Sequence, residues 1–554
     1  MFVRAKRSVQ RGREYEYLQL VESRREAGSV RQHVLANLGR RDEIAADGTL
    51  DRLLQSLARY SHRLRVVEKV RTEGLAAQQC RSWGPALVFG RLWEQQRVTD
   101  VLARLVRERR MEFDVERAAF AHALQRLCAP GSDLQGSGWL RTVECPGFEQ
   151  LELQHLYRTD AFLGEVRESL ERELFRLDRD LFNYQLDLVF IDTTSTFVWR
   201  DDETELRKRG YSRDRRPDQP QVVLCVAVDQ TGWPIAWDIL SGNTGDKAAF
   251  VAMIERMRKR FAIRRVIVVA DRGMISHDAM ELLEGDADAP FDFILGCRMR
   301  RQKEVSEEVL ARAGRYQRIT DHLDVKDVRI DDRRYIVCRN TSEAKKDAEA
   351  RAAILSKLQE QIDHHGAKSL VGNKGYARFL KIGKASVTID RDAVEADARL
   401  DGKFVLRTST ELSAEDVALA YKSLWRVERS FRETKSTLEV RPLFHQTDRN
   451  CTGHIVACFL ALRLEVDLQR RLDDKGVEVS WPDLMRDLGQ VQAVEVTLDG
   501  ERYRLRTALP GAANDAFAAA GLRPPRTLTH LGTAETANRG TGGPPDDPRE
   551  ECQV

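Results

Sequence analysis

LDLVFID (Leu186–Asp192) and RVIVVAD (Arg265–Asp271) are two short apolar runs that each end on an aspartate. Such a run is what a buried strand looks like when it delivers one acid to the edge of a sheet. Far downstream, YKSLWRVERSFRETK (Tyr421–Lys435) has helical spacing and contains Glu428. Three carboxylates gathered without a cation would repel by about 4 kcal/mol per pair at ~4 Å and an effective dielectric of ~20. If these three converge, they are expected to hold divalent metal.

The residues between the two runs supply the frame. Gln221–Asp229 (QVVLCVAVD) reads as a second strand, and the turn QTG leads to a third at Trp233–Leu240, so these two form a hairpin. A helix is expected from about Lys247 to Arg260, with Thr244 or Asp246 as its cap. Val266–Ala270 is a fourth strand, a short helix covers roughly His277–Leu283, and Phe291–Cys297 is a fifth strand. The order βββαβαβ resembles the ribonuclease H-like fold, an α/β architecture on a mixed five-stranded sheet. Its acids lie on the first strand, just after the fourth and on a later helix, and Asp192 and Asp271 fall at the first two places. Taken singly, each acid is equally well a turn or surface residue; joint placement in this frame reverses that.

At 554 residues the chain exceeds what one core organises. Residues 1–50 read as a basic β-containing module, with ten Lys/Arg against four Glu in Met1–Arg41, and residues 51–184 as a helical region. The α/β domain occupies 185–298 and resumes at 408–472; residues 299–407 read as a β-rich insertion before the last helix. A further segment runs over 473–521, and the Pro-, Gly- and charge-rich 522–554 is expected to be disordered. Net charge is only +3, from 90 basic and 87 acidic residues, so overall balance does not announce nucleic acid. The nine cysteines include no CxxC pair and suggest no zinc site by spacing. No apolar signal core opens the chain, and the longest greasy stretch, Ile455–Leu462, is too short to span a bilayer. A soluble cytoplasmic protein with no membrane contact is expected.

Ser413-Ala-Glu-Asp416 has the form of a capping box, and Tyr421, Trp425, Glu428, Arg432 and Lys435 then recur at intervals of four, three, four and three. They share one helix face, an aromatic pair with one carboxylate and two cations over roughly 20 Å at ~1.5 Å per residue. The segment resembles the Tyr-Arg-Glu-Lys signature of DDE transposases from bacterial insertion sequences, in the group called insertion-sequence family four and its close relatives. Tyr421, Glu428 and Lys435 match its spacing; the arginine position is Leu424, with Arg426 or Arg429 nearby. GNTGD (Gly242–Asp246), DRGM after Asp271, RPLFH (Arg441–His445) and HIVACFLAL (His454–Leu462) add to the likeness, which covers about Leu186–Leu472.

The resemblance implies a DNA transposase. Asp192, Asp271 and Glu428 would hold two Mg²⁺ or Mn²⁺ ions, and Tyr421, Lys435, Arg432 and Arg426 would contact DNA. Partners implied are double-stranded DNA, as the element's terminal inverted repeats and as target, and a second copy of the chain in a synaptic dimer associated with the nucleoid. Lys208, Arg209, Arg213, Arg215 and Arg216, in a loop between the first two strands, are candidates for DNA backbone contact. His445 and His454 read as supports of local structure. Three other readings share these residues: a phosphatase with Asp192 as nucleophile, a non-catalytic DNA-binding descendant, and a structure-selective nuclease.

Overall fold

Asp192 lies in, and Asp271 directly follows, strands of one nine-stranded sheet among the described residues. The computed structural model describes residues 1–10, 13–26, 29–58, 60, 77–107, 109–182, 188–261, 267–272, 274, 276–284, 291–300, 302–365, 377–382, 387–424, 426–428, 440–498 and 501–533. The chain forms two units, one of residues 82–490 and 509–522, the other of residues 1–81, 491–508 and 523–554.

In the larger unit the strands are β1 (Leu188–Phe197), β2 (Gln221–Asp229), β3 (Pro234–Ser241), β4 (Ile267–Ala270), β5 (Asp292–Gly296), β6 (Gln317–Thr320), β7 (Leu323–Ile330), β8 (Arg333–Asn340) and β9 (Lys403–Thr408). Their spatial order is β6-β7-β8-β9-β5-β4-β1-β2-β3. β1, β2 and β3 form an antiparallel meander, while β4 runs parallel to β1 and β5 parallel to β4. Every residue of β2 is buried, as a β-branched run at the heart of a sheet should be. Its turn is fixed locally. Asp229 Oδ1 accepts from the Thr231 and Trp233 amides at 2.7 and 2.8 Å, and Gly232 supplies the positive φ of +87°.

The expected sheet of five strands is thus part of a larger one. β9 pairs antiparallel with β5 through Leu406–Thr408, and β8, β7 and β6 follow outward, so strands of the inserted segment extend the sheet. The apolar edge of β5 (FDFILG) would otherwise leave unpaired backbone groups beside a greasy strand. β6 and β7 had no counterpart in the sequence reading, because LDVKDVRI alternates with charge and reads as a solvated loop.

Helices cover both faces. α2 (Asp246–Phe261) packs Phe250, Met253, Ile254 and Met257 against Val189, Ile191 and Val268. Two long helices, α1 (Leu153–Phe182) and α5 (Asp448–Asp474), pack on each other, and Phe459 of α5 stacks on Trp237 of β3 with centroids 4.6 Å apart. A Cβ at Gly453 would collide with the Asp160 carbonyl and one at Gly164 with the Arg449 carbonyl, so the two backbones approach only where glycine allows it. Ile455–Leu462 is buried inside α5, and no helix among the described residues is long and apolar enough to cross a membrane.

The smaller unit opens with an antiparallel meander, Phe2–Gln10, Arg13–Glu26 and Ser29–Arg40, followed by helices Arg41–Ala46 and Thr49–Ala58. A second sheet gathers Gln79–Ser82, Gln492–Leu498, Glu501–Arg506 and Leu528–Thr533. The last strand corrects the expectation of disorder from residue 522. Pairing with Glu501–Leu505 gives its backbone partners that composition cannot reveal, and Leu528 packs beside Tyr503.

α1, α5 and the hairpin turn are joined by one buried ion pair. The Arg463 guanidinium donates to both Asp178 oxygens at 2.9 Å, Trp233 Nε1 donates to the same carboxylate at 3.1 Å, and the guanidinium lies 4.4 Å from the Trp233 ring centre. Removing one member of such a pair strands a buried charge, at a cost of about 3–5 kcal/mol. Arg463→Ala should lower the unfolding free energy by about that amount in urea titration. Asp178→Asn, which keeps the shape but loses the charge, should fall between it and the wild type.

Candidate catalytic site

Register brings the first two acids together. β1 and β4 are parallel with Ile191 opposite Ala270, so the next residues, Asp192 and Asp271, stand side by side where β4 stops. Neighbouring strands lie about 4.8 Å apart. Ile191 faces the α2 side, so alternation turns Asp192 to the opposite face.

Asp192 is half-buried and its Oδ1 accepts from the Thr193 amide at 2.7 Å. Burial pushes its carboxyl from the ordinary 3.8 up to about 6, against the pull of the Thr193 amide and Arg213; the charges of Glu428 and Asp271 push further upward. Asp271 is exposed, and its Oδ1 accepts from the Tyr421 hydroxyl at 2.8 Å. Burial, then the charge of Asp271, holds the Tyr421 phenol protonated far above its usual range. That hydroxyl passes directly over Gly296 of β5, where any Cβ would collide with it. The ring stacks on Phe404 with centroids 5.8 Å apart.

The segment carrying Glu428 departs from the expected unbroken helix. Ser413 caps α4 (Ala414–Lys422) by accepting from the Asp416 amide at 3.1 Å, as its sequence predicts. α4 ends at Lys422, where the Ser423 hydroxyl bonds back to the Leu419 carbonyl at 3.2 Å, a contact that bends helices. Leu424, Arg426 and Val427 then make tight bonds three residues back, before the Glu428 amide returns to Leu424 at 3.3 Å. Glu428 is exposed. Arg426 is half-buried, its Cβ 4.0 Å from where a side chain at Gly232 would begin. Trp425, Arg432 and Lys435 lie outside the described residues.

Tyr421, expected to contact DNA, donates its hydroxyl to Asp271. A second set of contacts gathers at Thr193, next in the chain to Asp192. Arg213 Nη2 donates to Asp246 Oδ1 at 2.7 Å and to Thr193 Oγ1 at 2.8 Å, and the Thr193 hydroxyl donates to the same Asp246 oxygen at 2.7 Å. Arg213 thus spends its charge on this carboxylate and on lowering Asp192. Asp246, expected as a helix cap and as the end of GNTGD, is the acceptor of both bonds. Elsewhere in that loop, Arg209 bonds Glu203, and Arg216 bonds Asp218 while lying 4.8 Å from the Trp199 ring centre.

Among the described residues, the three acids do not bring one oxygen each within 4.8 Å of one another, which is wider than the shell of a single ion. Two ions about 3.5–4 Å apart spread their ligands over such a distance. Three carboxylates are a donor set suited to hard divalent ions.

The family described as "Transposase DDE domain" matches residues 185–464, just over half of the chain. The family described as "IS1634 family transposase, N-terminal domain" matches residues 3–72. No curated protein matches the chain. A solved structure, "Crystal structure of the Mos1 mariner paired end complex with Mn", is 16% identical with a TM-score of 0.13, over 33% of this chain and 59% of that one. At that score nothing about this chain follows from it.

Asp192 gives a pH signature. Its folded pKa of about 6 exceeds the ordinary 3.8, so the folded state holds this proton more tightly than the unfolded chain, and the stability so gained is lost as pH rises through about 6. In chelator, melting of the wild type should fall between pH 4 and pH 6, and Asp192→Asn should remove that component and melt higher at pH 7. Equal slopes for the two proteins would show that burial does not raise this carboxyl.

Proposed function

The chain belongs to the DDE-domain transposases of insertion sequences, and from that premise we propose that it binds the terminal inverted repeats of its element, cleaves the ends and joins the freed 3′-hydroxyls to target DNA. The observation that carries this reading is geometric: the parallel pairing of Ile191 with Ala270 sets Asp192 and Asp271, far apart in the chain, side by side at the end of β4. The strand order β3-β2-β1-β4-β5 within the large sheet supports a ribonuclease H-like core. The spacing of Tyr421, Glu428 and Lys435 supports a place in insertion-sequence family four or near it.

Asp192, Asp271 and Glu428 are the residues that would hold two Mg²⁺ or Mn²⁺ ions. When bound, such a pair activates the attacking water or 3′-hydroxyl and stabilises the leaving 3′-oxygen. The chain's own groups do the positioning. Tyr421 fixes one Asp271 oxygen by its 2.8 Å hydrogen bond and so sets where the other oxygen points. Arg213 and Thr193 bind the Asp246 carboxylate, and the Arg213 charge also lowers the Asp192 carboxyl. Lys435, Arg432 and Arg426 are proposed to hold DNA phosphates near the cleaved end. The basic meander of residues 2–40 and the helices that precede the catalytic sheet are proposed to read the repeats. Both ends must be joined at once, which calls for a synaptic homodimer acting at the nucleoid.

The test is a duplex carrying the element's end, incubated with Mg²⁺ or Mn²⁺. Asp271→Ala should bind this DNA as the wild type does and lose metal-dependent nicking by at least about a hundredfold, the order seen when one charge-stabilising group is removed. Nicking at the wild-type rate would remove Asp271 from the site. Lys435→Ala should weaken binding and lower the slope of log K against log salt by about 1; an unchanged slope rules out a phosphate contact.

A further inference from the structure

The inserted segment holds a cleft of about 660 Å³ that none of the three acids lines. Helix Arg391–Ala398, the turn Ala377–Phe379, the helical turn Glu304–Val309 and the start of β9 contribute to it. Met299, Leu310, Phe379 and Leu400 give it an apolar wall, and the Arg378 guanidinium lies 4.5 Å from the centre of the buried Phe379 ring. The charged side chains of the lining are Arg300, Arg378, Arg399 and Lys403, against a single carboxylate, Asp397.

Asp397 has three guanidiniums to balance. Arg300 donates to its Oδ1 from Nη2 at 2.7 Å and from Nε at 3.1 Å, and Arg378 Nη1 lies 3.8 Å from the same oxygen. Arg351 Nη1 lies 3.5 Å from Oδ2, while the same guanidinium binds both oxygens of Asp401 at 2.5 Å. Arg399 and Lys403 meet no carboxylate among the described residues. Five cations thus face two acids, Asp397 and Asp401, and three positive charges stay unanswered. The surplus is felt nearby: burial, and then the charge of Lys403, lowers the Lys326 ammonium. Like charges held this way raise the free energy of the folded chain until an anion joins them. The Arg300 and Arg378 side chains are 51% and 46% exposed, so an anion from solvent can reach both. Planar guanidiniums match the paired oxygens of a phosphate, and an apolar wall of this extent suits a sugar and base.

We propose that this cleft is a phosphate site for a nucleotide unit, with Arg300, Arg378, Arg399 and Lys403 on the phosphate and the apolar wall against the sugar and base. Asp397 is its positioning residue, because it gathers the guanidiniums without cancelling their charge. A nucleotide within a nucleic-acid strand and a free nucleotide offer the same group. The cleft lies within reach of the catalytic edge: Arg298 Nε donates at 3.0 Å to the carbonyl of Arg272, which follows Asp271, and Met299 and Arg300 come next in the chain. The proposal stands on the cleft alone and requires nothing of the three acids.

Binding to the full-length protein in chelator tests this, since no metal is then held and no strand is cut. The probes are ATP and a labelled single strand of about twelve nucleotides. The double variant Arg399→Ala, Lys403→Ala removes two cations on which no carboxylate depends, so its fold should survive. A loss of at least about tenfold in its ATP affinity assigns the cleft to free nucleotides. A fall of about 1.4 in the slope of log K against log salt for the strand, ~0.7 per contact, assigns it to nucleic acid. Wild type and variant binding both probes alike, or wild type binding neither, would overturn the proposal. Melting gives a readout that needs no variant: millimolar pyrophosphate should raise the wild-type midpoint by at least about 2 °C over chloride of equal ionic strength. No gain over chloride would also overturn it. Neither failure touches the nicking assay, so the transposase reading stands or falls separately.

Discussion

The parallel pairing of β1 with β4 is the constraint on which the catalytic half of this protein rests. With Ile191 opposite Ala270, the chain has no choice but to set two carboxylates on adjacent strands at the point where β4 ends. A slip of one residue would turn Asp192 into the apolar layer under α2 and leave Asp271 without its neighbour. The apolar alternation that buries Val189 and Ile191 on that layer forbids the slip. The hydrophobic core thus fixes the register, and the register places the acids.

Like charges placed this way raise the free energy of the folded chain, so the surrounding structure is built to tolerate them. Tyr421 gives Asp271 a hydrogen bond from a phenol that burial keeps protonated, and Arg213 draws Asp192 down while neutralising Asp246. What remains uncompensated is what a divalent cation supplies. The bend at Ser423 serves the same end, because it carries the chain from α4 into a tight turn just before Glu428.

Behind the sheet, stability comes from close helix contact rather than from the site. α1 and α5 meet at Gly164 and Gly453, and Asp178, Arg463 and Trp233 lock that pair to the β2–β3 turn.

Much of this was legible in the amino-acid sequence because it is written in local patterns. Apolar runs ending in Asp192 and Asp271, the Asp229 turn, the Ser413 cap and the spacing from Tyr421 to Glu428 each depend on near neighbours in the chain. What depends on distant partners was not legible. Strands β6 and β7 are polar enough to pass for loop and become strands because β8 pairs with β7 and β7 with β6; Leu528–Thr533 is ordered because Glu501–Leu505 offers it a ladder. The hold of Tyr421 on Asp271 joins residues 150 positions apart. The sequence by itself determined which residues are acids, caps and buried strands. Only tertiary structure decided which of them touch, because hydrogen bonds and charge repulsion act through a few ångströms of space and take no account of separation along the chain.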